Sequence, residues 1–210
     1  GNVGYVGTAA TYEIRRSSTP IVDESDWQAA QVVPHDLTPD WSGERETLVV
    51  ELSGLNHGDT VFFSVRTVGG SGELSYLSDA TGIVHLQLQA GWNLVGVPVD
   101  AYDGFAACFG DAAIGWGWES AQQAYVPAET LRVGTGYWVY TPFSTQLNVA
   151  GRPMGVVDSA VSDGWNLVSA SWSPDGALTA PKGADAGVVW AWNAETQMYV
   201  RSTSLAEHQS

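Results

Sequence analysis

Positive charge is scarce in this sequence, and its scarcity limits the partners that the protein can bind. Lys and Arg together number 8 against 23 Asp and Glu residues, so the 210-residue chain has a formal net charge of −15 at pH 7. A nucleic-acid groove needs clustered cations that displace phosphate counterions, and here only Arg15 and Arg16 are adjacent. We therefore expect no nucleic-acid partner. The single lysine, Lys182, also limits Lys-based internal cross-links to one.

Cysteine and long apolar runs are equally scarce. Cys108 is the only cysteine, which excludes an intrachain disulfide, and its apolar neighbours Ala107 and Phe109 indicate a small core residue. No apolar run approaches the roughly 20 residues of a membrane helix, so no membrane span is expected. The chain begins without Met and without a basic-then-apolar leader, and we expect a mature form or a piece of a longer polypeptide.

Motifs of common catalytic and metal sites are also missing. The sequence has no Gly-x-Ser-x-Gly elbow, no phosphate loop of the Gly-x-x-x-x-Gly-Lys type and no His-Glu-x-x-His pattern, so we expect no enzymatic activity. Asp100 and Asp103 are a candidate Ca²⁺ site on ligand type alone, because they lack the spaced Asp-x-Asp-x-Asp-Gly pattern. The acidic cluster at residues 23–26 has the same shortcoming. No other cofactor is expected.

Tryptophan and glycine, in contrast, are abundant, with 10 and 24 residues, and they recur in register. Gly-Trp-Asn-Leu-Val stands at residues 91–95 and again at residues 164–168, so that the two tryptophans are 165 − 92 = 73 positions apart. Downstream, each copy has a Trp followed seven positions later by a Tyr: Trp118 and Tyr125, then Trp192 and Tyr199. An internal repeat of this kind predicts one β-rich unit that is used twice.

Short runs of alternating apolar and polar residues, separated by Gly- and Pro-containing turns, predict an all-β fold. In the first part of the chain, strands are predicted over residues 12–16, 27–33, 47–52 and 61–67, with another beginning at residue 74. In the second part, strands are predicted over residues 84–89, 92–99, 114–118, 124–127, 137–140 and 146–149. Residues 100–113 are predicted to form a loop, and residues 119–123 the connection of a hairpin.

The first part resembles a fibronectin type III module. The resemblance lies in Tyr-x-Ile-Arg-x-Ser at residues 12–17, in Pro20 and Trp27, and in Leu-x-x-Gly-x-Thr-x-Phe-Phe-x-Val-Arg at residues 55–66. It covers roughly residues 5–82 and implies a β-sandwich that holds strands C, C′, E, F and G of the family but lacks strands A and B. Where the family has a corner tyrosine whose hydroxyl binds the backbone, this sequence has a valine, so that bond is absent.

The second part is similar to Trp/Gly repeats near the ends of large secreted or surface-anchored microbial proteins. The shared pattern is Gly-Trp-Asn-Leu, then Trp and Tyr-Val, then Gly-x-Gly-Tyr-Trp-Val at residues 134–139. This resemblance implies an extracellular or cell-surface location. Three domains are therefore predicted: the sandwich over residues 1–82, repeat 1 over residues 83–151, and repeat 2 over residues 152–210, which lacks its last strand.

The aromatic residues have two alternative interpretations. Those that recur in register are predicted to be mostly buried structural anchors, because equivalent repeats bury equivalent faces: Trp92, Trp118, Tyr125, Trp165, Trp192 and Tyr199. Four other tryptophans are candidates for a platform on which sugar rings stack: Trp41, Trp116, Trp138 and Trp172.

Modular repeats without a chemical motif favour a non-enzymatic structural or adhesive component of an extracellular or cell-surface assembly. Its expected partners are other copies of itself or the rest of a longer polypeptide. In the first case, a segment of a neighbouring copy would complete the missing strands and build a filament. The alternative hypothesis is a carbohydrate-binding module of a secreted glycan-active enzyme, in which exposed aromatic side chains stack on sugars.

Overall fold

The computed structural model describes residues 9–41, 43–154, 161–169 and 189–202. It confirms the all-β fold class, with sheets built from antiparallel strand pairs. The chain divides into two compact units, the first formed by Gly1–Gly54 and Val61–Thr81 and the second by Leu55–Thr60 and Gly82–Ser210. The regions predicted as repeats 1 and 2 both belong to the second unit. No helix in the described ranges is long and apolar enough to cross a membrane.

The described part of the first unit holds three strands and one helix. They are β1 (Thr11–Ser17), α1 (Glu24–Ala29), β2 (Gln31–Val32) and β3 (Thr60–Val68), of which β3 begins one residue before this unit. Strand β1 pairs antiparallel with both β2 and β3 and places Ile14 opposite Val65. Alternate residues of β3 are buried, namely Phe62, Ser64 and Arg66, as the two-residue period of a strand requires.

Helix α1 stands where a strand was predicted over residues 27–33, so that prediction is wrong. The reason is a helix N-cap: the Asp23 carboxylate accepts the backbone N–H of Asp26 at 2.9 Å. Glu24 and Asp26 add negative charge to the first turn, where the helix dipole favours it. Only the two residues of β2 keep the extended pairing.

Trp27 of α1 is the centre of a small core in the first unit. It is 1% exposed and packs with Ile21 and Ala30. The guanidinium carbons of Arg15 and Arg66 each lie 4.9 Å from the centroid of its ring, within the range of cation–π attraction. Because Trp27 and Ala30 are three residues apart, a helix brings both to the same side, whereas a strand would place them on opposite faces.

Two further strand predictions for the first unit fail for lack of a ladder partner. Over residues 47–52 the predicted alternation of burial is present, but the described structure assigns no strand there. From residue 74 onward the chain runs beside β3 with a single bridge, between Val68 and Leu74. The hydroxyls of Ser75 and Ser78 accept N–H groups of β3, which substitutes side-chain hydrogen bonds for part of a backbone ladder.

Repeat 1 and the segment before it contribute seven strands and one helix to the described part of the second unit. These are β4 (Thr81–Leu88), β5 (Gly91–Gly96), β6 (Val99–Ala101), α2 (Phe105–Phe109), β7 (Ile114–Glu119), β8 (Ala124–Pro127), β9 (Gly136–Thr141) and β10 (Thr145–Pro153). Strand β10 pairs with β4 and β6, while β5, β9, β7 and β8 form a four-stranded sheet in that order. The predicted hairpin of β7 and β8 is confirmed.

A core of apolar side chains holds the strands of repeat 1 together. Its members include Val84, Leu86, Val95, Val99, Leu131, Val139 and Val149, each 2% exposed or less. The strand predicted over residues 92–99 is divided into β5 and β6, because Pro98 between them has no N–H for a ladder. The predicted loop over residues 100–113 contains α2, in which Phe105 is buried and stacks on Phe109 at 4.7 Å between ring centroids.

Repeat 2 contributes a hairpin of β11 (Val189–Asn193) and β12 (Met198–Ser202). It matches the β7–β8 hairpin of repeat 1 residue for residue. Trp192 lies opposite Tyr199 in the one, as Trp118 lies opposite Tyr125 in the other. The equivalence of the two copies therefore extends from their sequences to their strand register.

Candidate functional site

Each repeat contains the same turn, which an asparagine side chain holds in place. The Asn93 side chain accepts the N–H of Gln89 at 3.0 Å and donates to the carbonyls of Gln89 at 2.9 Å and Gly91 at 3.2 Å. Gly91 has a φ of 102°, in the left-handed region that favours glycine. This turn leads into β5, which among the described strands pairs with β9. On the other edge of β5, the backbone N–H and carbonyl of Trp92 can bind another partner.

The turn of repeat 2 repeats this pattern. The Asn166 side chain accepts the N–H of Ser162 at 3.0 Å and donates to the carbonyls of Ser162 at 2.8 Å and Gly164 at 3.2 Å. Gly164 has a φ of 95°. The two asparagines thus fix two equivalent turns, and each turn presents the backbone of the tryptophan between its Gly and its Asn.

Side chains of repeat 2 bind the backbone of Trp92 in repeat 1. The Gln197 side chain accepts the N–H of Trp92 at 3.0 Å and donates to its carbonyl at 2.9 Å. The indole N–H of Trp192 donates to the same carbonyl at 2.8 Å. One glutamine and one tryptophan thereby satisfy both polar backbone atoms of Trp92. This arrangement, with the Trp and Gln side chains of one repeat bound to the Trp backbone of the other, is called the clasp below.

A second clasp runs in the opposite direction. The Gln123 side chain of repeat 1 accepts the N–H of Trp165 in repeat 2 at 2.9 Å and donates to its carbonyl at 2.9 Å. The indole N–H of Trp118 donates to that carbonyl at 2.6 Å. Each repeat therefore binds the other through the same three side-chain atoms, and the contact is reciprocal.

The conformation of the two hairpin turns directs the side chains of Gln123 and Gln197 towards the other repeat. Gln123 and Gln197 have φ values of 50° and 53°, and they are the only non-glycine residues of the described ranges with positive φ. Each amide also donates back into its own turn, to the carbonyl of Ser120 or of Ala194. A conformation that is uncommon for glutamine is thus repeated in both copies at the position where it directs the amide to the other repeat.

Beside the clasps lies a groove with aromatic walls, named the aromatic groove. Its volume is about 480 Å³, and it is lined by Trp92, Trp116, Tyr125 and Trp138 of repeat 1 and by Trp192 and Tyr199 of repeat 2. The rings meet at steep angles: Trp138 and Trp192 are 4.8 Å apart at 83°, and Trp92 and Trp138 are 6.2 Å apart at 90°. Burial raises the pKa of Tyr199, and the nearby Tyr125 raises it further. None of the six side chains that line the groove carries a charge.

The structure brings all six predicted anchors to the clasps or the aromatic groove, but it corrects their expected burial. Trp92 is 36% exposed and Trp165 is 66% exposed, and the two tyrosines, Tyr125 and Tyr199, are more than half exposed. The prediction of burial is therefore wrong for Trp165 and for the two tyrosines, whereas Trp92 is more buried than exposed. At Trp165 the physical reason is that the other repeat binds the backbone of the residue rather than enclosing its ring.

The structure brings together two of the four residues predicted for the sugar platform. Trp116 and Trp138 line the aromatic groove, although Trp138 is only 8% exposed. Trp41 is 70% exposed and belongs to the first unit. Trp172 lies outside the described residues. Trp116 and Trp138 lie together in the groove because β7 and β9 are neighbours in the sheet and place these two residues opposite each other.

Sequence inspection missed the two glutamines of the clasps. A signal was present, since Gln123 follows Trp118 by five positions and Gln197 follows Trp192 by five positions. Turns accept many different polar residues. When the same polar residue recurs at the same turn position in both copies, it indicates a role beyond formation of the turn.

The calcium candidate gains no support from the described residues. In those ranges, no three His, Cys, Asp or Glu side chains converge as a metal ion would require. Asp100 instead accepts the backbone N–H of Val133 at 3.2 Å, and the carbonyl of Asp103 accepts from Cys108. Burial raises the pKa of the Cys108 thiol, and Asp103 raises it further, which opposes a reactive thiolate.

Comparison with known proteins identifies no family for this arrangement. No protein-family model, no curated protein and no solved structure matches the chain. The function has to be inferred from the clasps and the aromatic groove themselves.

Proposed function

We propose that the protein is a non-enzymatic structural component of an extracellular or cell-surface assembly, built from Trp/Gly repeats that bind one another. The observation that carries this proposal is the reciprocal clasp. Two copies of one sequence motif hold each other by equivalent hydrogen bonds, from Gln123 and Trp118 in one direction and from Gln197 and Trp192 in the other. Repeats of this kind suit a modular structural protein.

The chemistry of the clasp supports a role in connecting modules. The glutamine amide and the indole N–H bind backbone atoms of Trp92 or Trp165 rather than a side chain. Within this chain each turn is held by the hairpin of the other repeat, and the same hydrogen bonds would form if a repeat of a second copy replaced one of the two. The partners we propose are other copies of this chain or further repeats of a longer polypeptide. The resemblances to fibronectin type III modules and to repeats of secreted microbial proteins support the extracellular location.

An incorporation experiment tests this function. The chain and its variants are produced in the native host, and the protein is measured in the culture medium, in the cell interior and in the insoluble extracellular material. We expect the wild type and Gln122→Glu to enter the insoluble extracellular fraction. We expect a variant with both Gln123→Glu and Gln197→Glu to be secreted but not incorporated, because a carboxylate cannot donate to the tryptophan carbonyl.

Two results would overturn the proposal. The first is retention of the wild-type protein inside the cell. The second is a hydrolytic activity that a single Asp or Glu substitution abolishes, because such an activity would make the protein an enzyme.

A carbohydrate-binding module is the second candidate, and the aromatic groove is the observation in its favour. Trp116 and Trp138, two of the predicted platform residues, lie in its walls. Sugars also need hydrogen-bond partners for their hydroxyl groups, and the side chains that line the groove offer only indole N–H and phenol O–H groups. Affinity electrophoresis on common polysaccharides tests this function. Retardation of the wild type that Tyr125→Leu removes would favour carbohydrate binding over the structural role.

A further inference from the structure

We propose that the aromatic groove is a binding site for a quaternary ammonium group, such as the trimethylammonium group of choline or of a fully methylated amine. This site does not depend on the proposed structural role, since it rests on the groove rather than on the clasps. Its ligand would be an organic cation whose methyl groups lie in the groove against the six aromatic side chains that line it.

The arrangement of the rings supports a cation as the ligand. Four of the six lining side chains are tryptophans, the aromatic residue that attracts cations most strongly. Trp138 stands at 83° to Trp192 and at 90° to Trp92, and Trp192 stands at 78° to Tyr199. Rings at right angles direct the negative faces of their π-systems along more than one axis. A compact, roughly spherical cation can contact several of those faces at once.

The polar groups of the groove favour a quaternary ammonium over other ligands. Every side chain in the lining is aromatic, and the indole N–H of Trp192 already donates to the carbonyl of Trp92. A primary ammonium or a sugar would lose hydrogen bonds to water that this lining does not replace. A quaternary ammonium has no N–H group, so it loses no hydrogen bond when it enters. The volume of about 480 Å³ leaves room for the group and for part of the chain that carries it.

The charge of the whole protein acts in the same direction. At a formal net charge of −15, the chain attracts cations and repels anions over distances longer than a hydrogen bond. The groove itself contains no carboxylate among its lining residues. Attraction inside it therefore comes from the aromatic faces, which distinguishes the site from an acidic surface that would bind any cation.

The test uses choline and its neutral isostere 3,3-dimethylbutan-1-ol, which has the same shape without the charge. Both are titrated into the full chain, with tryptophan fluorescence and isothermal calorimetry as readouts. We expect saturable binding of choline that is about tenfold tighter than binding of the isostere, the contribution of a desolvated cation–π contact. Ammonium chloride at the same ionic strength controls for non-specific binding of cations to the acidic surface, and we expect it not to compete.

Variants locate the site. Tyr125→Leu and Tyr199→Leu remove aromatic rings at positions that are 52% and 53% exposed, so the fold is expected to survive, as circular dichroism would show. We expect each to weaken choline binding about fivefold or more. Tyr76→Leu is the matched control, because Tyr76 is 96% exposed and lies in the first unit, and we expect unchanged binding.

Three outcomes would overturn the proposal. Equal affinity for choline and the isostere would show an apolar groove without selectivity for charge. Absence of saturation with choline in a natively folded protein would show that the groove is no cation site. Binding of an oligosaccharide that both tyrosine variants abolish, without binding of choline, would assign the groove to carbohydrate.

Discussion

The side-chain amide of Gln123 binds both polar backbone atoms of Trp165, accepting its N–H and donating to its carbonyl, each at 2.9 Å. A single side chain thus makes the two hydrogen bonds that the backbone of a neighbouring strand normally makes. Gln197 makes the same pair of bonds to Trp92. The two contacts connect repeat 1 and repeat 2 in opposite directions. The first prediction concerns the glutamines that make them.

Gln123→Glu is expected to destabilise the second unit by about 1 kcal/mol, the net contribution of the hydrogen bond that the amide donates to the Trp165 carbonyl. The substitution keeps the size of the side chain but replaces the amide donor to the Trp165 carbonyl with a second acceptor. Urea unfolding followed by circular dichroism measures the loss. Gln122→Glu introduces the same charge one residue away, at an exposed side chain, and should change stability by less than about 0.5 kcal/mol.

Gln197→Glu is expected to cost about as much as Gln123→Glu, since the equivalent donated hydrogen bond, here to the carbonyl of Trp92, is lost. A large loss at one glutamine and none at the other would contradict the equivalence of the two clasps.

Asn93→Asp is expected to destabilise the protein more than Asn166→Asp, by about 3 kcal/mol against about 1 kcal/mol. Both asparagines donate to two carbonyls of their turn, and in both cases a carboxylate would face those carbonyls without a proton to donate. Only Asn93 is 3% exposed, whereas Asn166 is half-buried, so the charge is screened less at residue 93. Thermal and urea unfolding of the two variants at neutral pH give the comparison. Equal losses would mean that burial does not set the cost of the turn.

Trp27→Ala is expected to destabilise the first unit by about 3–5 kcal/mol, the cost of a large aromatic cavity. Its ring is 1% exposed and packs with Ile21 and Ala30. Trp165→Ala, in contrast, should cost less than about 1 kcal/mol, because its ring is 66% exposed and the other repeat binds its backbone. Urea unfolding of the two variants tests both values. A loss at Trp165 that matched the loss at Trp27 would show that the indole ring, and not the peptide, holds the repeats together.

Tyr12 is expected to lose its phenol proton at a higher pH than an ordinary tyrosine. A hydrogen bond to the Glu46 carboxylate, followed by burial and by the negative charges of Glu46 and Asp40, raises the pKa of Tyr12 from 10.0 to about 12. Because the folded pKa lies above the unfolded one, this interaction stabilises the protein fully below pH 10 and is lost as the pH rises from 10 to about 12. Phenolate absorbance of the wild type minus that of Tyr12→Phe measures the pKa. Glu46→Gln should return the pKa towards the ordinary value, and an unchanged value would contradict the assigned cause.

His57 is expected to make the second unit sensitive to mild acid. Burial lowers the pKa of His57 below its usual 6.5, and the nearby His85 lowers it further. The ring also accepts the backbone N–H of Gln87 at 3.0 Å, a bond that protonation of that nitrogen would break. Since the unfolded chain binds this proton more readily, stability is complete above pH 6.5 and falls as the pH drops below it. Urea unfolding between neutral and mildly acidic pH should show this slope, and His57→Gln should reduce it. An identical slope in the variant would assign the effect to other groups.

The fold class and the hairpins were predictable because each depends on a local pattern. Alternation of apolar residues marks β4, and paired aromatic residues on either side of a polar connection mark the hairpin of β7 and β8. Helix α1 was missed although Asp23 offers an N-cap, because a helix of six residues is too short to show a helical period in the sequence. The strand at residues 47–52 was predicted wrongly since alternation indicates which side chains face inward and does not supply a ladder partner.

The clasps could not be predicted from local patterns. Gln123 and its partner Trp165 are 42 positions apart, and Gln197 and Trp92 are 105 positions apart. Nothing in the neighbourhood of either glutamine indicates that its amide leaves the turn and binds a distant peptide. The recurrence of aromatic residues placed Trp92 and Trp165 in a shared role, but their rings were expected inside the core. Only the three-dimensional arrangement shows that the peptide between Gly and Asn is the bound group.

The edge of β5 opposite β9 has a consequence for solubility. A strand edge with free N–H and C=O groups can recruit a strand from any other protein and begin aggregation. At Trp92 both groups are occupied by Gln197 and Trp192, so the edge is closed at one peptide by side chains alone. This closure needs no additional strand. The sheet can therefore be protected from indiscriminate pairing at the same residue through which one repeat is attached to the next.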